Sequence, residues 1–584
     1  MGGTCLIRYL KKPKSLRLNR VWIDSVDFWL IIYFFIVFFG SVTFLQFQQV
    51  NIEYSQSIDV FQDLVWHMGI VNSISKDFFP ICPWSGAGIE LKYHFFCDLL
   101  YGIIMRISGV PADVQILQCS PFLTAYLFTT STYALLKELL NRNKMAVLFA
   151  AMIIPASFVQ TNLIEHILVN TNNVATALSC LMCILVIINV GIKDNKKIKN
   201  SIILAIFVYL LTGLKGPFGA VLFAAMIGTC FFSLAFKTRK KKTIIAYTSI
   251  VTISFVSTYL IFLTGSTFDA THGMQITLGE TMKYSFLSEF YYAYIASGAD
   301  HSLKYIILSG YIIIIMGACF LPFLIQLIKE IKNLFIKCKP VNEIIILNYA
   351  IVIVGFAAWM LLNFDSNNQI YFGFASIPSL TFIAAWYFSE GEYNTVKKAI
   401  CYISIICILC GGITGCKEIK SWINKAIIGY HASQDKNYEK EIHRFSYSEY
   451  QAMLWLRYNT KADDLIAGDR YSLSDMKLYD TENRFNSRWF YYTAYSQRTF
   501  FLEGTGYGGV TDTKQRQELY EINESLYDSK NGNSETLARK LGIDYIVVSE
   551  RIHPGLHMAN SVIKLCYTNR DMRIYKVLYN APEA

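Results

Sequence analysis

Long apolar runs separated by short polar stretches set the pattern of most of this chain. The hydrocarbon core of a bilayer takes about 20 apolar residues per helix. Runs of that kind fall near 28–48, 116–136, 145–161, 172–192, 200–213, 217–236, 243–264, 303–327, 343–363, 371–389 and 398–416, which predicts about 11 transmembrane helices. The fifth is short and reads as half-inserted. A further apolar stretch at 95–108 is interrupted by Asp98 and Arg106, and reads as part of a span or a re-entrant piece. The first run, Phe28 to Gln48, follows the basic residues Arg8, Lys11, Lys12, Lys14, Arg17 and Arg20. It is too long for the apolar part of a signal peptide and no small-residue cleavage site follows, so it reads as a signal anchor.

The pattern changes near residue 417. EYQAMLWLRYNTKADDLIAGDRY reads as an amphipathic helix, a turn and a strand. LGIDYIVVSE reads as a buried strand with Gly542 before its apolar run, and CYTNRDMRIYKV as a hairpin closing on a strand. Residues 417–584 are therefore expected to form a soluble α/β domain, behind a membrane domain over 1–416.

Composition agrees with this division. The 584 residues are 53% hydrophobic and only 16% charged, against roughly 25% charged in soluble domains. The formal charge of +10 does not point to nucleic acid, because the basic residues sit in short clusters between apolar runs. Those clusters are Lys137/Arg142/Lys144, Lys193/Lys196/Lys197/Lys199, Lys237 with Arg239 to Lys242, Lys329/Lys332/Lys337/Lys339 and Lys397/Lys398. With a cytoplasmic N-terminus every cluster falls on the cytoplasmic side, the positive-inside arrangement. The polar residues suited to chemistry then gather on the outer face, along with the C-terminal domain. The 14 cysteines are scattered, many within apolar runs, where Cys behaves as a small hydrophobe. Cys180 and Cys183 form a CxxC inside one such run, and Cys82 and Cys97 are close enough in sequence to meet outside the membrane.

The first outer loop, about 49–115, is the richest in candidate chemistry. In FQDLVWHMGIVNSISKDFFP, Asp63 and His67 lie four apart and share one helix face. Pro80, Pro83, Gly86 and Gly88 then preclude a continuous helix, and Phe79 and Trp84 suit a membrane interface. Tyr93, His94 and Asp98 open the next apolar segment, and Glu90 and His94 form a second pair four apart. Two such pairs would make a metal site only if brought together. EHILVNTNN sets Glu165 and His166 among asparagines, as a sugar site or an ordinary polar loop would. Tyr291, Tyr292 and Tyr294 read as an interface belt, and Trp455, Trp489, Tyr491 and Tyr492 as either a saccharide surface or a small domain's core.

An N-in first span is followed by a long outer loop with an early acidic residue on a helix, an FP turn and a YH pair. Further spans and an outer soluble domain complete the chain. This arrangement resembles the GT-C superfamily of membrane glycosyltransferases, which use polyprenyl-phosphate-linked sugars. The resemblance implies a polytopic α-helical GT-C-like fold with a C-terminal extracytoplasmic α/β domain, in a multi-pass plasma-membrane protein. It implies a polyprenyl-phosphate-linked sugar as donor, a glycan, lipid or protein as acceptor, contact with membrane lipids and no nucleic acid. The family's catalytic carboxylate lies in the first outer loop, where Asp63 matches best. An inverting transfer needs a base for the acceptor hydroxyl, and the departing phosphate needs cations or donors. Lys215, in the broken turn TGLKGPFG, is the first candidate for the phosphate, a snorkelling lysine being the alternative. His94 and Arg106 come next, with His67 orienting Asp63 or touching the acceptor. Glu90, Asp98 and Glu165 compete as a second acid. No cofactor is required by these residues, and a divalent metal ion stays open. Two other readings are a lipid-linked oligosaccharide polymerase or ligase, and a transporter or flippase. The latter predicts broken helices in matching halves, whereas the sequence shows one clear break, at Lys215.

Overall fold

The computed structural model describes residues 31–32, 34–35, 57–58, 62–86, 88, 90–139, 172–193, 197–236, 238, 240–264, 275–276, 317–336, 342–363, 370–389, 394–407, 445–471, 489–504, 513–528 and 534–579. Five helices among them are long and apolar enough to cross a membrane: Val174–Lys193, Gly216–Ala235, Lys241–Leu263, Glu343–Leu361 and Ile370–Ser389. The chain is a multi-pass membrane protein.

The helices are α1 (Gln62–Lys76), α2 (Phe96–Ser108), α3 (Ser120–Leu139), α4 (Asn172–Lys193), α5 (Lys197–Leu214), α6 (Gly216–Ala235), α7 (Lys241–Thr258), α8 (Gly317–Phe335), α9 (Glu343–Leu361) and α10 (Ile370–Ser389). They match the expected spans near 116–136, 172–192, 200–213, 217–236, 243–264, 343–363 and 371–389 closely. Of the expected span at 303–327 the described part begins at Gly317 and runs on to Phe335, and residues 395–407 supply the described part of the last. The span near 145–161 lies outside the described residues. The stretch at 95–108 is the amphipathic helix α2, with Leu100, Ile103, Ile104 and Ile107 exposed along one side. Gly109 ends it in the left-handed conformation at φ 71°, its N–H bonding Met105 O.

The membrane helices pack as neighbouring pairs, α3 on α4, α4 on α5, α6 on α7 and α9 on α10. At Gly355 a Cβ would strike Ser376 and the Phe372 carbonyl, so α9 and α10 approach as closely as they do only with glycine there. On α5, Ile202, Ile206 and Leu210 leave an apolar stripe exposed at helical spacing, a lipid-facing surface.

The C-terminal part has α11 (Tyr447–Asn459), α12 (Tyr491–Ser496), α13 (Thr513–Ser525) and α14 (Ser534–Leu541) around one sheet. Its strands are β5 (Leu465–Ala467), β6 (Thr499–Phe500), β7 (Tyr545–Ser549), β8 (Ile563–Thr568) and β9 (Met572–Val577), after β1 (Ser57–Ile58), β2 (Gln275–Ile276), β3 (Leu362–Asn363) and β4 (Phe445–Ser446). The order is β6-β5-β7-β9-β8, with β5 parallel to β6 and β7, and β9 antiparallel to β7 and β8. The helix–turn–strand, the buried strand after Gly542 and the closing hairpin all form as expected. Ser446 and Glu449 make a reciprocal capping box that starts α11.

The first loop is built into this sheet. Phe500 N–H donates to Pro83 O at 2.8 Å, Gly86 N–H to Phe501 O at 3.0 Å and Glu503 N–H to Trp84 O at 2.9 Å. Residues 83–86 thereby cover the edge beyond β6, which would otherwise offer unpaired backbone groups. β1 of the same loop pairs antiparallel with β4. Asn72 on α1 donates to Thr493 O (3.3 Å) and Ala494 O (3.0 Å) of α12. The helix bearing Asp63 and His67 is thus anchored to the C-terminal sheet as well as to the membrane helices.

Candidate functional site

Asp63 lies in the first turn of α1, half-buried, and His67 follows one turn later, buried. Asp98 lies in the first turn of α2, also buried. The two helices pack so that His67 Nδ1 is 3.0 Å from both carboxylate oxygens of Asp98. Trp66 meets the His67 ring edge-on at 5.0 Å, and Tyr93 lies 6.2 Å from it. His67 is therefore held by Asp98, a partner that the shared helix face with Asp63 did not indicate.

Lys215 enters from the break between α5 and α6. It adopts an extended backbone (φ −158°, ψ 102°), and Pro217 in the first turn of α6 starts the new helix. At Gly213, one turn ahead of Pro217, a Cβ would collide with the Phe96 ring, so this glycine lets the end of α5 reach the start of α2. Lys215 is buried, and its ammonium rests on the ring of Tyr371 at 3.6 Å from the centroid. Among the described residues no carboxylate lies within ion-pair distance of it. Burial lowers its pKa to about 7, an effect opposed by the more distant charges of Asp63 and Asp98. His94, just before α2, stacks on Tyr93 with ring centroids 3.8 Å apart. Its Nε2 is buried with no hydrogen-bond partner. Burial holds its pKa well below the usual imidazole range, reinforced by Lys215 and then His67.

Asp63, His67, Tyr93, His94, Asp98, Lys215 and Tyr371 thus form one polar cluster at the membrane helices' end, within reach of one another's charge. Other expected members fall elsewhere. Glu90 is exposed and pairs with Lys92 at 2.6 Å, while Lys92 also bonds Ile261 O. Arg106 is exposed in the last turn of α2, about 12 Å along the axis from Asp98 at 1.5 Å per residue. Glu165, His166, Tyr291, Tyr292 and Tyr294 lie outside the described residues. Trp84 is buried between Trp66 and Phe490 instead of at an interface, whereas Phe79 is exposed as expected. Trp489, Tyr491 and Tyr492 are core residues and make no saccharide surface. Cys82, Cys97, Cys180 and Cys183 are free thiols.

Two features were not identified from sequence. Tyr371 under Lys215 had no signal, being one more aromatic at the start of an apolar span. Asp98 reads from sequence as a candidate acid, and its contact with His67 comes only from the crossing of α1 and α2. Among the described residues no three His, Cys, Asp or Glu side chains are grouped to hold a metal ion. Glu90 is engaged by Lys92, and His67 Nδ1 by Asp98.

No protein-family model matches the chain, and no curated protein matches it. Solved structures with a similar course include the archaeal oligosaccharyltransferase AglB from Archaeoglobus fulgidus in complex with an inhibitory peptide and a dolichol-phosphate. The identity is 13%, 91% of this chain and 70% of that chain are covered, and the TM-score is 0.44. The Archaeoglobus fulgidus oligosaccharyltransferase in complex with Zn and sulfate has 12% identity over 94% and 74%, at a TM-score of 0.38. ArnT from Cupriavidus metallidurans bound to undecaprenyl phosphate has 9% identity over 96% and 100%, at 0.45. Likenesses of this size assign neither a family nor a substrate.

Proposed function

We propose that the chain is an integral-membrane glycosyltransferase of the GT-C kind. It takes a sugar from a polyprenyl-phosphate donor, with inversion, and passes it to a glycan, lipid or protein of the cell envelope on the outer face. The observation that carries this reading is Lys215, a buried cation on an aromatic face with no ion-pairing carboxylate among the described residues. A buried charge without a partner is expensive and marks a place where a counter-charge arrives. At a break between membrane helices, the fitting anion is the phosphate of a lipid whose chain lies along the apolar helices. The unpartnered Nε2 of His94 supplies a second polar contact. As the sugar leaves, negative charge grows on the phosphate, and a preorganised cation stabilises that charge more than the ground state. Asp63 keeps the lysine charged from a distance and is a candidate for the base.

In this reading residues 1–416 form the catalytic membrane domain with its N-terminus in the cytoplasm. Residues 417–584 lie outside and brace the first loop. The test is a host strain lacking the protein, complemented with wild type or Lys215→Met, with envelope glycans compared by mass spectrometry at equal membrane levels. A sugar lost on deletion, restored by wild type and not by Lys215→Met is expected. Full restoration by Lys215→Met contradicts the reading.

A further inference from the structure

Within that transferase reading, we infer that the proton acceptor of the reaction is His67, oriented by Asp98, rather than Asp63. The His67–Asp98 contact is buried on both sides, with Nδ1 3.0 Å from each carboxylate oxygen. A carboxylate only accepts, so the proton of this contact sits on Nδ1, and Nε2 is the nitrogen left to exchange a proton with a substrate. That nitrogen makes no hydrogen bond among the described residues, and His67 retains a little accessible surface. The ring is fixed by Trp66 edge-on and by Tyr93. A base that is oriented by a buried acid and open at its other nitrogen is the arrangement general-base catalysis requires. Asp63 is differently placed. Its charge acts on Lys215 from beyond ion-pair distance, which places it on the phosphate side of the site.

The charged and titratable groups around His67 are Asp98 on α2, His94 and Tyr93 before it, Lys215 at the α5–α6 break and Asp63 on its own helix. In the step, the acceptor O–H breaks and its proton goes to His67 Nε2. The acceptor oxygen bonds to the anomeric carbon, and the bond from that carbon to the phosphate oxygen breaks with its electron pair. The polyprenyl phosphate leaves with one more negative charge, facing Lys215, while Asp98 faces the new imidazolium. Asp98 is a positioning residue, and His67 touches the reacting hydroxyl.

The experiment has two readouts. Full-length protein carrying ¹⁵N-histidine is placed in bilayers, and nitrogen resonances are compared among wild type, His67→Gln and Asp98→Asn. A histidine with protonated Nδ1 and bare Nε2 is expected in wild type. Its signal should be absent in His67→Gln and displaced in Asp98→Asn. A His67 protonated on Nε2 and bare on Nδ1 overturns the inference without any substrate. The second readout is the rate at which the dependent glycan forms in complemented cells. His67→Gln should lower it by about 10³-fold, within the usual range for a lost general base. Asp98→Asn should slow it as well, with no change in the donor level that half-saturates it. If His67→Gln keeps a tenth or more of the wild-type rate while Asp63→Asn loses it, Asp63 is the base and the inference falls. Failure of the parent reading shows separately, as a host in which no glycan depends on the wild-type chain.

Discussion

Two clusters of buried charge among the described residues are built differently. In the C-terminal unit, Glu449 takes the Arg470 guanidinium, the Tyr492 hydroxyl (2.9 Å) and the Ser446 backbone N–H (2.8 Å), while Arg470 stacks on Trp489 at 3.6 Å. Glu503 nearby accepts from the N–H groups of Tyr492 (2.6 Å) and Thr493 (2.8 Å), and so caps α12. Arg498 donates to Arg457 O and Thr460 O (2.7 Å each), tying the end of α11 to α12. There Glu449, Arg470, Glu503 and Arg498 each meet an opposite charge or several donors or acceptors, although Asp469 Oδ1 beside them has no hydrogen-bond partner. At the membrane helices, among the described residues, Lys215 has a ring face instead of a carboxylate, and His94 Nε2 has no hydrogen-bond partner. Satisfied buried networks fix a structure, while unsatisfied ones hold free energy available for a ligand. The C-terminal cluster therefore reads as architecture and the membrane cluster as a site.

The largest expected effect lies on the site side of this contrast. Lys215→Met should lower transfer by at least about 10²-fold, the range seen when one donor to a developing charge is removed. It should leave thermal stability equal or higher, because it relieves an uncompensated buried cation. A melting curve of the purified variant beside the glycan assay checks both halves. Arg470→Met should do the reverse. It strands Glu449 in the core and should destabilise the protein by about 3–5 kcal/mol, with activity per folded molecule kept. Thermal unfolding and a rate normalised to folded protein would separate the two.

A pH series sharpens the same contrast. Burial raises the pKa of Glu503 from 4.5 to about 8, against the opposing pull of its Thr493 and Tyr492 donors. A carboxyl raised on folding favours the folded state fully below the unfolded value and loses that contribution as pH rises towards the folded one. Wild type should thus lose melting temperature between about pH 4.5 and 8, and Glu503→Gln should lose less over that window. Equal slopes would refute the assignment. The smallest effect belongs to Arg106→Gln, an exposed change expected within about 0.5 kcal/mol of wild type in stability and without loss of transfer.

Much of the fold was legible because its signals are local. Apolar runs gave the helices from α3 to α7 and the pair α9 and α10, and Gly542 before its apolar run marked the buried strand β7. The site was legible in part. Asp63, His67, His94 and Lys215 stood out as polar residues in apolar surroundings, and they do converge. Their pairing was not readable, because His67–Asp98 spans 31 positions and depends on how α1 crosses α2. The same holds for Asn72 on α12 and for residues 83–86 on the sheet edge, contacts more than 400 positions apart. Local spacing suggested Asp63–His67 and Glu90–His94, whereas packing sets His67 on Asp98 and Glu90 on Lys92.

The central claim is that Lys215 receives a lipid phosphate, and binding tests it without knowing the sugar. Polyprenyl phosphate would be titrated into full-length protein in nanodiscs at pH 6 and pH 8, with wild type, Lys215→Met and Arg106→Gln. A lysine with a pKa of about 7 is mostly charged at the lower pH and mostly neutral at the higher. The phosphate itself gains charge over that range, so a fixed cation would bind more tightly at pH 8. The account predicts tighter binding at pH 6, lost in Lys215→Met and kept in Arg106→Gln. Equal binding by wild type and Lys215→Met at both pH values would contradict it.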